Sequence, residues 1–219
     1  MSKHLQNDLH NLKNEVLEIG TIVEEAVEKS MRAFRKGDVE TARKIIEQDE
    51  IINQKEVELE EECLKILALY QPVAKDLRFI ASVIKINNDL ERMGDISVKI
   101  SKRTLSLAKE LPIELPDHLK EMIQLTRSMV KDSLDAFFRQ DATYSREICR
   151  RDEDVDRLNK QILSLLRDKM RSDPQHIDQY LDMVTATKGI ERIADLATNI
   201  AQDVVYMVEG EIIRHKYKF

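Results

Sequence analysis

The sequence predicts an all-α protein made of two tandem three-helix repeats of long antiparallel helices, a spectrin-like bundle, and three observations predict it. Turn-forming residues are scarce. The 5 Gly and 4 Pro among 219 residues amount to about 4%, against roughly 12% in ordinary usage, too few for the frequent turns of a β-rich fold. Apolar residues recur in alternating steps of three and four, the average spacing of bundled helices. The chain also matches itself. Ser30, Ala33, Phe34, Asp38, Arg43, Ile45, Asp49 and Glu50 return as Ser133, Ala136, Phe137, Asp141, Arg146, Ile148, Asp152 and Glu153, at offset 103. Glu91, Arg92, Asp95 and Ile100 return as Glu191, Arg192, Asp195 and Ile200 at offset 100, so three residues are lost in the region of Pro72 and Pro174. Such self-similarity is the mark of a tandem duplication.

Each predicted helix has recognisable ends. The first, 3–36, stops at Gly37, and Asp38 is an N-cap for the second, 38–69. Gln71 and Pro72 break that helix, and Pro72 suits the first turn of the third, 73–110. The stretch from Leu111 to Asp117, with Pro112 and Pro116, connects the copies, and Asp117 can cap the fourth helix, 117–139. Gln140 and Asp141 precede the fifth, 141–171, while Asp173 and Pro174 open the sixth, 174–209, which Gly210 ends. The predicted organisation is a first repeat over 1–111, a second over 117–210 and a tail over 211–219.

One seam per helix follows from the periodicity. The second helix has Ile45, Asp49, Ile52, Glu56, Leu59, Cys63 and Ile66, and the fifth has Ile148, Asp152, Val155, Asn159, Ile162 and Leu166. The third has Leu77, Ala81, Ile84, Asn88, Glu91, Asp95 and Val98, and the sixth has Ile177, Leu181, Val184, Lys188, Glu191, Asp195 and Thr198. These seams are apolar at one end and acidic at the other.

Composition excludes several function classes. A net charge of −6 without a basic block or a basic–aromatic stripe argues against nucleic acid as partner. Met1 to His10 is polar rather than a secretory core, and no run approaches the roughly 18 apolar residues of a membrane span, so a cytoplasmic protein is expected. Cys63 and Cys149 stand alone and read as buried, reduced core residues. No phosphate-cradling glycine loop, no nucleophile with a base and no His-Glu-x-x-His is present.

Folding the second and third helices into a hairpin about Pro72 sets residues level whose numbers sum to 144, which pairs Asp49 with Asp95 and Asn53 with Glu91. In the second copy the sum is 347, pairing Asp152 with Asp195 and Asp156 with Glu191. Oxygen-bearing side chains thus converge about 30 Å from each turn, at 1.5 Å per residue. Like charges at this spacing repel, and the positions three and four away from Glu91 are Asn87, Asn88, Gly94 and Asp95, none of them a cation. Three remedies are open: a bound cation, an Arg or Lys from another helix, or protonation at a raised pKa. Oxygen ligands alone suit Mg, Mn, Ca or ferric iron better than a structural Zn. A second reading is a carboxylate-bridged metal enzyme, an oxidase or hydrolase. The Glu-x-x-His of di-iron carboxylate proteins is missing, since no His has Glu three residues before it. By formal charge the second set, at −4, should hold a cation more tightly than the first, at −3.

With the repeat and these motifs in hand, the chain resembles the PhoU family of bacterial phosphate-uptake regulators. The resemblance is carried by Asn88-Asp89-Leu90-Glu91-Arg92-Met93-Gly94-Asp95, by Ile190-Glu191-Arg192-Ile193-Ala194-Asp195-Leu196-Ala197-Thr198-Asn199-Ile200, and by Tyr206-Met207-Val208-Glu209-Gly210-Glu211. It implies Glu91, Asp95, Glu191 and Asp195 as ligands of multinuclear iron or other metal clusters, with Asp49, Asp152 and Asp156 as the facing acids. Leu196 stands where many relatives have His, and Asn53 where an acid is frequent. The resemblance further implies a cytoplasmic, non-enzymatic, homodimeric regulator. Such a regulator couples the nucleotide-binding subunit of a phosphate ABC transporter to a membrane sensor histidine kinase, reaches the membrane only through these partners, and represses the phosphate-starvation response.

Overall fold

A computed structural model describes residues 3–110 and 114–214. Six long helices follow one another: α1 (Lys3–Lys36), α2 (Val39–Tyr70), α3 (Ala74–Leu107), α4 (Asp117–Arg139), α5 (Ala142–Ser172) and α6 (Ile177–Glu209), with a 3-10 turn over Pro174–His176 before the last. Leu111, Pro112 and Ile113 of the expected connector lie outside the described residues, as do residues 215–219 of the expected tail. No described helix is long and apolar enough to cross a membrane.

The ends of the helices show which punctuation is active. Gly37 adopts φ +67°, a left-handed conformation that costs glycine little, and the Asp38 N–H returns to the Ala33 carbonyl at 3.0 Å. The same turn recurs 103 residues on. Gln140 takes φ 54°, and the Asp141 N–H bonds to the Ala136 carbonyl at 3.0 Å. Both aspartates then cap the next helix, Asp38 accepting from the Thr41 N–H at 3.0 Å and Asp141 from the Tyr144 N–H at 2.9 Å. Three expectations need correction. Pro72 lies ahead of the first turn of α3, because the N-cap is Val73. The third helix stops at Leu107, short of 110, with Ala108 as its C-cap. Asp117 is the first residue of α4, where its carboxylate binds Lys120 at 2.8 Å, and the cap position belongs to Pro116.

α1, α2 and α3 pack on one another, as do α4, α5 and α6, and the two sets meet where α3 crosses α6 and α1 meets α4. One apolar core runs through all six, including the stacked rings of Phe79 and Phe137 at 6.2 Å. The seams read for α2 and α5 are the buried ones: Ile45, Ile52, Leu59, Cys63 and Ile66 on one, Ile148, Val155, Ile162 and Leu166 on the other. The seams read for α3 and α6 are not. Leu77 and Leu181 are exposed, whereas Val83, Ile86, Leu90, Met93 and Ile100 of α3 and Ile190, Ile193, Ala194 and Ala197 of α6 are buried. These central helices are enclosed from several directions, so their wide buried faces hide the single narrow stripe that a two-helix contact would impose.

A charged network ties α3 to α6. Asp203, 2% exposed, accepts from Lys85 Nζ at 3.3 Å and from Arg214 at 3.0 Å. Arg92 stands 3.7 Å from the nearby, buried Asp89. Burial and then the Asp203 charge push the Asp89 carboxyl up to about 6. Cys63 and Cys149 are buried free thiols, pushed by desolvation to about 12 and about 11, which keeps them from thiolate chemistry near neutral pH.

Candidate functional site

The seven predicted acids lie on α2, α3, α5 and α6, and charge acts between Asp49 and Asp95, between Asp152 and Asp195, and between Asp156 and Glu191. Asp49 on α2 and Glu91 and Asp95 on α3 are half-buried, and their fields overlap. The Asp49 carboxyl lies above its usual range through burial first and the Asp95 charge second. Glu91 is raised by burial, then by Asp95, Glu56 and Asp49. Glu56 is the acid that the ligand reading missed, although it sits on the predicted seam three residues beyond Asn53. Its inclusion brings the first set to a formal −4, so charge count no longer ranks the two sets. The Asn87 side-chain amide donates to the Glu56 carbonyl at 2.7 Å, pinning α2 to α3 here. Asp95 has a cation after all, the Lys99 ammonium at 3.0 Å, one helical turn on. The i+4 position of Asp95, rather than of Glu91, was the signal for it.

Gly94 lets the two helices close at this point. A Cβ there would stand 3.0 Å from Ile52 Cδ1 and 3.8 Å from Asp49 Oδ1. Where the first copy has Ile52 and Gly94, the second has Val155 and Ala194, a methyl group shifted from one helix to the other. Gly94→Val is therefore expected to destabilise the protein by about 2 kcal/mol through overpacking, read as a lower urea midpoint at unchanged slope. Gly94→Ala combined with Ile52→Val should recover most of it.

In the second copy Asp152 and Asp156 on α5 face Glu191 and Asp195 on α6. Asp152 accepts from the Thr198 hydroxyl at 3.2 Å, and burial, outweighing that bond, raises its carboxyl. Glu191 is raised by burial and by Asp156 and Asp152, with Lys188 and Arg192 acting the other way. Desolvation, followed by the charges of Asp152, Glu191 and Asp156, pushes Asp195 up to about 7, even though the residue as a whole is exposed. The second set is thus a mutually repelling group of carboxyls, one of which shares a proton with solvent near neutral pH. Asp156 lies 4.0 Å from Lys160. Leu196, at the position where a His would add a ligand, is 2% exposed and belongs to the core.

A groove between α3 and α6 is lined by acids from both copies, which treating each hairpin by itself did not anticipate. Its volume is about 610 Å³, and its walls include Asp95 of the first set and Glu191 and Asp195 of the second. Ile96, Ile100 and Gly189 form the apolar part, where a Cβ on residue 189 would come within 3.2 Å of Ile96 Cγ2 and 3.3 Å of Ile100 Cγ1. Close crossing of α3 and α6 at Gly189 is what makes the two sets neighbours.

Among the described residues no three His, Cys, Asp or Glu side chains stand together as a ready metal-binding group. His4, His10 and His118 are exposed, and His176 is held by Asp173 at 2.8 Å. His215 lies outside the described residues. The donor set is thus carboxylate alone, with Asn and Thr oxygens beside it.

The family model described as the PhoU domain matches this chain twice, over residues 16–104 and 119–204. The chain belongs to the PhoU family. Each PhoU match spans one set of acids and most of the three helices of its copy. Over 213 residues, 97% of this chain and 96% of the other, it is 36% identical to a protein of Aquifex aeolicus named phosphate-specific transport system accessory protein PhoU homolog. A crystal structure of PhoU from Pseudomonas aeruginosa superimposes with a TM-score of 0.90 at 36% identity, covering 94% of this chain and 99% of that one. The crystal structure of the phosphate transport system regulatory protein PhoU from Streptococcus pneumoniae gives a TM-score of 0.89 at 32% identity, covering 95% and 98%.

Proposed function

We propose that this protein is a cytoplasmic, non-enzymatic negative regulator of phosphate uptake and of the phosphate-starvation response. In this reading it is a metal-binding adaptor between the nucleotide-binding subunit of a phosphate ABC transporter and a sensor histidine kinase, acting as a homodimer. The observation that carries the reading is likeness over nearly the whole chain to proteins named as accessory or regulatory components of phosphate transport. Beside it stands the duplicated set of mutually repelling acids, of which Asp95, Glu191 and Asp195 line one groove. Gene deletion should derepress phosphate scavenging in phosphate-rich medium. Unchanged reporter output there would remove the regulatory reading.

The chemistry of the donors supports metal binding. Carboxyls raised above their usual range by one another and by burial are relieved when a cation replaces the competing protons. Asp49, Glu91, Asp95 and Glu56 would hold metal in the first set, and Asp152, Asp156, Glu191 and Asp195 in the second. These oxygen ligands suit iron, Mn, Mg or Ca, with Zn least favoured. A bound metal would supply fixed positive charge. The protein's own part is to hold Asp152 by the Thr198 bond, to fix α2 against α3 by the Asn87 bond to the Glu56 backbone, and to keep Lys99, Lys188 and Arg192 at the rim. Mass spectrometry of protein purified without chelator should find stoichiometric transition metal, and Glu191→Ala/Asp195→Ala should lose about half of it. Equal metal content in the double variant would rule these residues out as ligands.

A further inference from the structure

The groove between α3 and α6 has a second chemical character besides its acids. Arg92 and Arg192, the same residue in the two copies, both line it, together with Lys99 and Lys188. Against Asp95, Glu191 and Asp195 these four cations leave a formal +1, and neutralising the acids with metal raises that further. Neither Lys188 nor Arg192 makes an ion pair at 4 Å or less among the described residues, although both lie within the field of Glu191. Asn159 also lines the groove. It is 8% exposed, and its carbonyl oxygen Oδ1 is buried without a hydrogen-bond partner. An amide oxygen buried without a protein partner carries a desolvation cost that a ligand bearing a donor proton removes. Asn159 thus points to a ligand on evidence separate from the charge of the walls.

We propose that this groove binds inorganic hydrogen phosphate, with Arg92, Arg192 and Lys188 donating to its oxygens and Asn159 Oδ1 accepting from its hydroxyl. Guanidinium groups fit tetrahedral oxyanions through paired N–H donors. The mixture of donors and acceptors selects among such anions. Hydrogen phosphate carries an O–H throughout the physiological range and satisfies the acceptors, whereas sulfate carries none and leaves Asn159 unpaired. The volume, about 610 Å³, lies in the range of small-molecule sites and has room for the anion with its retained water. The proposal rests on the metal reading only for neutralising the acidic walls, so phosphate should bind more tightly to metal-loaded than to metal-free protein.

The test is isothermal titration of full-length protein with inorganic phosphate, after loading with Mn and again after chelation, with bound metal counted by mass spectrometry. Loaded protein should bind phosphate with an excess of sulfate competing weakly. Arg192→Gln should weaken phosphate binding by about tenfold or more with bound metal unchanged. Asn159→Leu should keep the fold, as circular dichroism reports, but lose the preference for phosphate over sulfate. Phosphate affinity untouched by Arg192→Gln, or sulfate competing as well as phosphate in the unmodified protein, overturns the proposal. Metal bound without phosphate binding also overturns it while leaving the metal reading intact. Phosphate bound by protein that takes up no Mn upholds the groove, and the absent metal count then removes the metal reading.

Discussion

Replacing Asp203 by alanine is expected to lower the unfolding free energy by about 2 kcal/mol, toward the low end for losing hydrogen bonds to a charged group. The carboxylate is 2% exposed, and its loss removes the acceptor that the exposed Lys85 and Arg214 side chains reach at 3.3 Å and 3.0 Å. The effect stays at the low end because Asp89 is close enough to feel the Asp203 charge. Freed of that repulsion, it ionises more readily and takes over part of the pairing. Urea unfolding of Asp203→Ala and of Asp203→Ala/Asp89→Asn checks this account. The double variant should be clearly less stable than the single one, and equal stabilities would show that Asp89 does not substitute.

Metal-free protein is expected to lose about 3 kcal/mol of stability as pH rises from 4 to 8. Asp89 at about 6 and Asp195 at about 7 hold protons in the folded state that the unfolded chain releases near the ordinary aspartate value of about 3.9. Over this window the folded state therefore binds more protons, and stability falls with rising pH. Asp89, 7% exposed, supplies about 2 kcal/mol. Asp195, exposed as a residue, supplies about 1 after solvent screening. A metal acts in the opposite sense, since its ligands must be deprotonated. At a hundredfold excess over its dissociation constant it adds about 2.7 kcal/mol, nearly all of it at the alkaline end. Chemical denaturation at pH 5 and pH 8, with chelator and with Mn, measures both slopes. A metal-free protein more stable at pH 8 than at pH 5 would show that these carboxyls ionise freely.

How much was legible in the sequence depends on how far a signal travels along the chain. The helix ends at Gly37, Asp38, Asp141 and Gly210 were legible because caps act within one turn. Asp117 misled for the same reason: an aspartate at a helix start serves as well in the first turn as at the cap, and the chain's path past Pro116 decides. The seams of α2 and α5 were legible because each of these helices buries one narrow face. Those of α3 and α6 were not, because a helix enclosed on several sides loses a single apolar stripe, and its half-buried acids then mark the stripe's edge.

The sequence by itself determined the six helices, the duplication and the pairing of acids across each hairpin. All three rest on short-range periodicity and on the constant rise of an α-helix, which converts numbering into position. Only the tertiary structure decided that Asp95 of the first set shares a groove with Glu191 and Asp195 of the second, that Glu56 joins the first set, and that Asp203 is buried against Lys85 and Arg214. These depend on where α3 crosses α6, and that crossing is set by packing at Gly189 against Ile96 and Ile100. Helix rise carries no information about such a contact, because it fixes distances along an axis and not the angle or depth at which two axes meet.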